Sequence, residues 1–413
     1  MGVVTVTSTT STGRDVQRRT VWVLSASQAL GGIGVATGLA VSTLVAAAIS
    51  GSDTVGGLAQ TSAVVGAAVL SLPVARLAAR SGRRPALLVA YGAATVGALV
   101  AALATALASA ALLIVALAAF GGATTAGLAA RYAATDLALP DRRARDLSVV
   151  VWATTIGSVA GPNLAEPAGR LTELVGGPGD AGPYLLSAAA FGGAALVVWA
   201  GLRPDPLVLA RGAVASPART DLAAAWTSLR ASGPARLALG GIVLSHFVMV
   251  GLMSMTPVHM DHGGASLRVV GIVISLHIAG MFALSPLIGW VADRAGRVPV
   301  LAAGALLLVA AGAVSASAPS TGAVQLSVGL TLLGAGWSCA LVAGSALLTE
   351  SVPVAVRPDV QGLSDLAMNS GGALGGVLAG ATVALASYSV LALATVVLVA
   401  PFLVVAVARV RTA

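Results

Sequence analysis

The sequence predicts an all-α integral membrane protein, with twelve transmembrane helices in two pseudo-symmetric six-helix bundles. Three observations carry that expectation. The chain is 57% hydrophobic and 9% charged, whereas a soluble domain is about 25% charged. Apolar runs of about 20 residues, long enough to cross a hydrocarbon core of about 30 Å, recur from one end to the other. A basic motif, Arg80-Ser-Gly-Arg-Arg-Pro85, returns past the midpoint as Arg294-Ala-Gly-Arg-Val-Pro299, the mark of an internal repeat.

Taken in order, the apolar runs fall at about 21–50, 55–75, 85–107, 109–134, 147–172 and 183–202. After an interruption they resume at 236–258, 267–290, 299–316, 322–348, 361–386 and 388–408. The first run follows a polar stretch with Arg14, Arg18 and Arg19, is too long for a signal-peptide core and lacks a clear cleavage site. It is expected to be the first span, leaving 1–20 as a tail. Residues 203–235 are rich in Pro and Arg and read as a linker. They divide the chain into bundles at 21–202 and 236–408, with a short tail at 409–413. The 50 glycines suit helices that must approach closely in lipid.

Charge sets the orientation. The net charge of +8 comes entirely from arginine, clustered in alternate connections. Arg76, Arg80, Arg83 and Arg84 lie between spans 2 and 3, and Arg142, Arg143 and Arg145 between spans 4 and 5. Arg203, Arg211, Arg219 and Arg230 lie in the linker, and Arg409 and Arg411 follow span 12. The other connections carry few or none. This is the positive-inside pattern and excludes a nucleic-acid face. A multi-pass plasma-membrane protein with both termini cytoplasmic follows. Its partners are the bilayer and a small solute or metal ion, and a monomer is expected.

The same offset of 214 residues that relates the two basic motifs carries Gly157 and Gly161 onto Gly371 and Gly375. Halves related in this way place a substrate path between them, near the bilayer midplane. Gly289-Trp-Val-Ala-Asp293-Arg294-Ala-Gly296-Arg297 resembles the signature loop of the major facilitator superfamily, between spans 8 and 9. The first copy is degraded, with Ala79 where the acid belongs. The resemblance implies secondary-active transport by alternating access, with no enzymatic activity and no cofactor. Asp293, Arg294, Gly296 and Arg297 then form a conformational latch, in which the acid meets a neighbouring helix N-terminus.

A cluster of soft ligands stands out in 246–281. It holds all four histidines (His246, His259, His262, His277) together with Met249, Met253, Met255, Met260 and Met281. Thioether and imidazole suit Cu(I). His246, Met249 and Met253 are spaced i, i+3, i+7 on one helix face, and His277 and Met281 are spaced i, i+4. At about 1.5 Å per residue, His246 and His277 both lie roughly 15 Å from a membrane boundary, near the midplane. Met249-x-x-x-Met253 and His277-x-x-x-Met281 are similar to the paired motifs of CcoA-type copper importers. That resemblance implies Met249, Met253, His277 and Met281 as Cu(I) ligands. His246, Met255, His259, Met260 and His262 would then line the way in, and Cys339 and Met368 the way out. A methionine in an apolar helix more often fills a packing gap, and Cys339 among small residues reads equally as packing.

Gly157-Ser-Val-Ala-Gly161-Pro162 resembles the antiporter motif of drug/proton exporters, which implies a bending gate helix and the alternative of proton-coupled efflux of drugs or metabolites. Ionisable residues inside spans are costly and mark coupling sites. Asp365 has no basic partner in its own helix and is the first proton-coupling candidate, with Glu166 as the second. Glu166 and Arg170 can satisfy each other at i, i+4, and Arg131 can snorkel to the inner interface. A non-transporting copper sensor would need a signalling domain, for which neither the tails nor the linker is long enough.

Overall fold

The computed structural model describes residues 7–212 and 222–412. Sixteen α-helices account for nearly all of them, with no strand among the described residues. The first half comprises α1 (Thr7–Ser50), α2 (Asp53–Ser81), α3 (Arg83–Ala106), α4 (Ala110–Phe120), α5 (Gly122–Ala133), α6 (Arg143–Leu174) and α7 (Gly182–Gly201). Two short helices, α8 (Pro206–Arg211) and α9 (Leu222–Ala231), occupy the connector. The second half comprises α10 (Gly233–His262), α11 (Leu267–Phe282), α12 (Ser285–Ala295), α13 (Arg297–Ala316), α14 (Ala323–Glu350), α15 (Arg357–Leu385) and α16 (Tyr388–Thr412). Twelve segments are long and apolar enough to cross a membrane. The fourth is α4 with α5, and the eighth is α11 with α12.

The outer boundaries differ from expectation in two places. Residues 7–20 are not a separate tail but the first turns of α1. Gln17 ties this segment to the rest of its half: its amide donates to the Ala134 carbonyl at 2.7 Å and to Asp146 at 2.6 Å. The linker is partly helical, because Asp205 caps α8 by accepting from the Leu207 and Val208 amides at 3.0 and 3.2 Å. Arg219 lies outside the described residues.

Each half is held by close helix contacts at small residues. A methyl group on Gly66 would sit 1.8 Å from the Ala118 oxygen, and one on Gly157 2.2 Å from the Gly32 carbonyl carbon. Helices separated by no side chain gain dispersion contacts that lipid cannot supply. α14 is the most buried of the spans. It separates α10 from α11. On one flank Gly334 lies against the His277 oxygen of α11, and on the other Gly344 lies against Ile242 of α10.

The halves meet at the arginine-rich face, through α2 with α15 and α6 with α12. Gly82 and Gly296 occupy equivalent turns, each with φ of +95°, a conformation that only glycine adopts without strain. The repeat is therefore written into the backbone as well as the sequence.

Candidate functional site: a central cavity above a closed interface

At the arginine-rich face, Asp293 at the end of α12 accepts the Ala144 amide at 3.0 Å and the Arg145 amide at 2.8 Å. These are first-turn donors of α6 in the other half. A carboxylate there meets both orphan N–H groups and the positive end of the helix dipole. Arg297 pairs with Asp293 at 2.9 Å and with Glu350 at 2.9 Å, and donates to the Pro140 carbonyl at 2.6 Å. Arg294 does not join this group. Its exposed guanidinium lies 4.3 Å from the centre of the Trp290 ring.

The equivalent region of the first half is built differently. Ala79 offers no carboxylate, and its carbonyl accepts from Arg211 of the connector at 2.5 Å. Asp205 of the connector accepts the Arg84 amide at the start of α3 at 2.7 Å. Arg83 forms a two-pronged pair with Asp136 (2.7 and 3.1 Å) and donates to Gln361 of the second half at 2.6 Å. The offset of 214 carries Arg83 onto Arg297 and Asp136 onto Glu350, so this ion pair is duplicated. The repeat arithmetic held that signal, since one acid follows each basic motif at the same distance.

One layer deeper, Arg131 of α5 pairs with Asp365 of α15 at 2.6 Å and donates to Ser345 of α14 at 3.1 Å. Tyr132 stacks under the guanidinium and its hydroxyl lies 3.3 Å from Ser364. The expectation that Arg131 snorkels to the inner interface is corrected here: its side chain is 1% exposed. A buried cation needs a paired anion, and Asp365, which lacks a partner in its own helix, finds it across the half interface. Arg131 and Ser345 are themselves repeat equivalents, 214 residues apart. Their contact marks where the pseudo-symmetry axis passes. Glu166 is placed elsewhere. It pairs with Arg170 on the surface of α6, both side chains being 74% exposed.

Above this layer lies a cavity of about 280 Å³ walled by both halves. The first half contributes Gln28, Gly32 and Arg131, and the second His246, Trp337 and Asn369. Met281, Phe282 and Met368 complete the apolar wall. The Trp337 indole N–H donates to His246 Nδ1 at 2.9 Å, and Phe282 meets Trp337 edge-on at 5.7 Å between centroids. The Asn369 amide donates to the Asp365 carbonyl at 2.8 Å.

The structure disperses the soft-ligand cluster. Of the four residues read as Cu(I) ligands, Met281 alone lines the cavity. Met249 and Met260 are buried in the core of the second half, with Met253 and Met255 packed on it. His277 sits on the far side of α14 from α10, with Nδ1 donating to the Leu330 carbonyl at 2.7 Å. The expected meeting of spans 7 and 8 fails because α14, rich in small residues, wedges between them. His259 stacks on Tyr388 at 4.2 Å and His262 is exposed. Cys339 packs against Gly304 of α13. Among the described residues no three or more imidazole, thiol or carboxylate groups gather to hold a metal. His246 and Met368, read as flanking the path, do line the cavity.

Gly157 and Gly161 seat α6 on α1. A methyl on Gly161 would meet Ala36 at 2.5 Å, and the Gly161 carbonyl accepts from Thr37 at 3.0 Å. Pro162, inside α6, is exposed.

Comparisons with known proteins agree with this architecture. The family model described as Major Facilitator Superfamily matches residues 23–266 and 241–413. An "Uncharacterized MFS-type transporter YdeG" from Bacillus subtilis (strain 168) is 38% identical over 386 residues, covering 92% of this chain and 89% of that one. "Riboflavin transporter RfnT" from Brucella anthropi is 27% identical, covering 85% of each. Among solved structures, the E. coli fucose:proton symporter FucP superposes with a TM-score of 0.75 at 14% identity, covering 94% of this chain and 98% of that one. A bacterial homologue of ferroportin in an outward-facing state gives 0.73 at 14% identity, covering 96% and 100%. With its two six-helix halves, its repeated loop and a family match along nearly its whole length, the chain belongs to the major facilitator superfamily of transporters.

Proposed function

We propose that this transporter moves a small organic solute by alternating access through the central cavity, with protonation of Asp365 as the coupling step. One observation carries the reading. A cavity walled by both halves sits directly above the cross-interface pair Arg131–Asp365, and the halves are sealed below it by Asp293, Arg83 and Gln361. Bound solute and pair share the same elements, so the charge state of Asp365 acts on the junction that must open. A protonated Asp365 releases Arg131 and weakens the closed face, and solute in the cavity favours the same release. The charge of the arginine-rich face supports a cytoplasmic side for it, and on that reading the described state is closed to the cytoplasm. The relative named for riboflavin supports an organic cargo.

The test is solute flux into proteoliposomes under an imposed proton gradient. Asp365→Asn is expected to abolish gradient-driven accumulation while sparing solute exchange. Accumulation that persists in Asp365→Asn overturns the coupling role.

A copper reading retains one favourable observation. His277 Nδ1–H is fixed by a carbonyl, and its buried Nε2 has no hydrogen-bond partner, the orientation that metal-ligating imidazoles adopt. Uptake of labelled copper that falls with His277→Ala but not with His246→Ala would favour it over an organic cargo.

A further inference from the structure

The closed interface exists in two copies that compare residue by residue, because α2 meets α15 as α12 meets α6. Their contact points correspond. A methyl on Gly289 of α12 would sit 2.2 Å from Ser148 Oγ of α6. The offset of 214 carries this pair onto Ala75 and Gly362, and a methyl on Gly362 would sit 2.3 Å from Ala75 Cβ. One turn nearer the arginine-rich ends, the chemistry diverges. In the second copy Asp293 accepts the amides of Ala144 and Arg145. The equivalent positions in the first copy hold Ala79, Pro358 and Asp359. The acceptor is missing, and Pro358 has no N–H to donate. Asp359 brings a buried carboxylate to the first turn of α15, where an acid at position 79 would meet like charge. Three changes, each disabling the acid latch, stand together, so this copy is rebuilt and not merely decayed.

The connector supplies the parts. At the start of α8, Asp205 accepts the Arg84 amide at 2.7 Å. Its carboxylate fills the turn at Gly82, where a methyl would sit 2.6 Å from Oδ2. At the end of α8, Arg211 donates through Nη1 to the Ala79 carbonyl at 2.5 Å. That carbonyl lies in the last turn of α2, where oxygens lack helical partners and the dipole is negative. A cation suits it as a carboxylate suits a helix start. Burial pushes the Arg211 pKa down and Arg83 adds to this, while the carboxylates of Asp136, Asp205 and Asp359 hold it up. Of these, Asp359 belongs to the opposite half. Both α8 and α9 pack on the turn at Val354–Val356, immediately before α15. α9 also sends Ala225 and Leu229 into the core of the second half. α8 is thus tied to the first half by its polar ends and seated on the second, and it cannot keep both when this face opens.

We propose that α8 is the latch of the first half, holding the face closed with a cation, Arg211, where the second half uses the carboxylate of Asp293. The polarity is reversed because the acid stands on the other side of the interface, at the start of α15 instead of the end of α2. The connector is therefore a working part of the gate as well as a tether between the halves.

The experiment uses the full-length protein in detergent, with spin labels at Leu139→Cys and Arg411→Cys, exposed positions in opposite halves, in a Cys339→Ser background. Double electron–electron resonance reads the open fraction. Each variant is also made with Asp293→Ala, which weakens the other latch and brings the open state into range. Arg211→Met removes one charge-assisted hydrogen bond and is expected to raise the ratio of open to closed about tenfold. Arg211→Lys keeps the cation and is expected to stay near the parent. The deciding variant adds Ala79→Asp, Pro358→Ala and Asp359→Arg to Arg211→Met, which writes the residues of the second copy into the first. It is expected to return the closed distance, a rescue that a merely loosened fold would not show. Three results each overturn the proposal. One is an Arg211→Met distribution that superposes on its parent in both backgrounds. Another is opening in Arg211→Lys as wide as in Arg211→Met. The third is failure of the rebuilt acid latch to restore closure in protein that elutes as a single folded species.

Discussion

Replacing Asp293 with alanine is expected to open the arginine-rich face. Its carboxylate accepts two amides of the opposite half at 3.0 and 2.8 Å, and both bonds exist only while that face is shut. Hydrogen bonds to a charged partner contribute about 1.5–3 kcal/mol each, so the pair stabilises the closed state by about 3 kcal/mol or more. That is a shift of about 100-fold in the ratio of closed to open. The bond to Arg297 does not inflate the figure, because Arg297 keeps Glu350 and the Pro140 carbonyl. Spin labels at Leu139→Cys and Arg411→Cys, exposed positions in opposite halves, in a Cys339→Ser background, report the opening by double electron–electron resonance. A second, longer-distance population is expected in Asp293→Ala, with a smaller one in Asp293→Asn, which retains an acceptor oxygen. An Asp293→Ala distance distribution that superposes on the parent refutes the reasoning.

Arg131→Met alone leaves Asp365 buried without a cation and is expected to cost about 3–5 kcal/mol, whereas Arg131→Met with Asp365→Leu recovers most of it. Thermal unfolding in detergent measures both. Met249→Leu and Met260→Leu are near-isosteric swaps in the packed core and are expected to cost less than about 1.5 kcal/mol and to leave uptake of labelled copper unchanged. Loss of that uptake would bring the span-7 thioethers back as ligands. Asp205→Ala removes acceptors from the starts of both α3 and α8, at about 1 kcal/mol for each. Faster amide exchange at Arg84, Leu207 and Val208 would report it. Gly66→Val forces a side chain into backbone already in contact and is expected to abolish folded protein in the membrane, measured by fluorescence-detected size exclusion.

The spans, their count, the two halves and the repeated loop were legible in the residues, because lipid forces every membrane segment to be long, apolar and helical. Charge-bearing loops were legible for the same reason. The cluster at 246–281 misled. Spacing along one helix fixes which residues share its face, but not which face looks inward or which helix lies between two neighbours in sequence. The glycines of α14 decided that, by letting its backbone wedge against the His277 oxygen and separate Met249 from His277. The Arg131–Asp365 pair was half visible: Asp365 read as a costly charge without a partner in its own helix, while Arg131 read as reaching the inner interface.

The sequence by itself determined that this chain lives in a bilayer as two copies of one six-helix plan, since hydropathy, arginine placement and the offset of 214 are one-dimensional quantities. Only the tertiary structure decided which polar groups share a cavity. Arg131, His246, Trp337 and Asn369 come from four different helices, and their convergence is set by close backbone contacts at small residues, whose energy depends on three-dimensional fit.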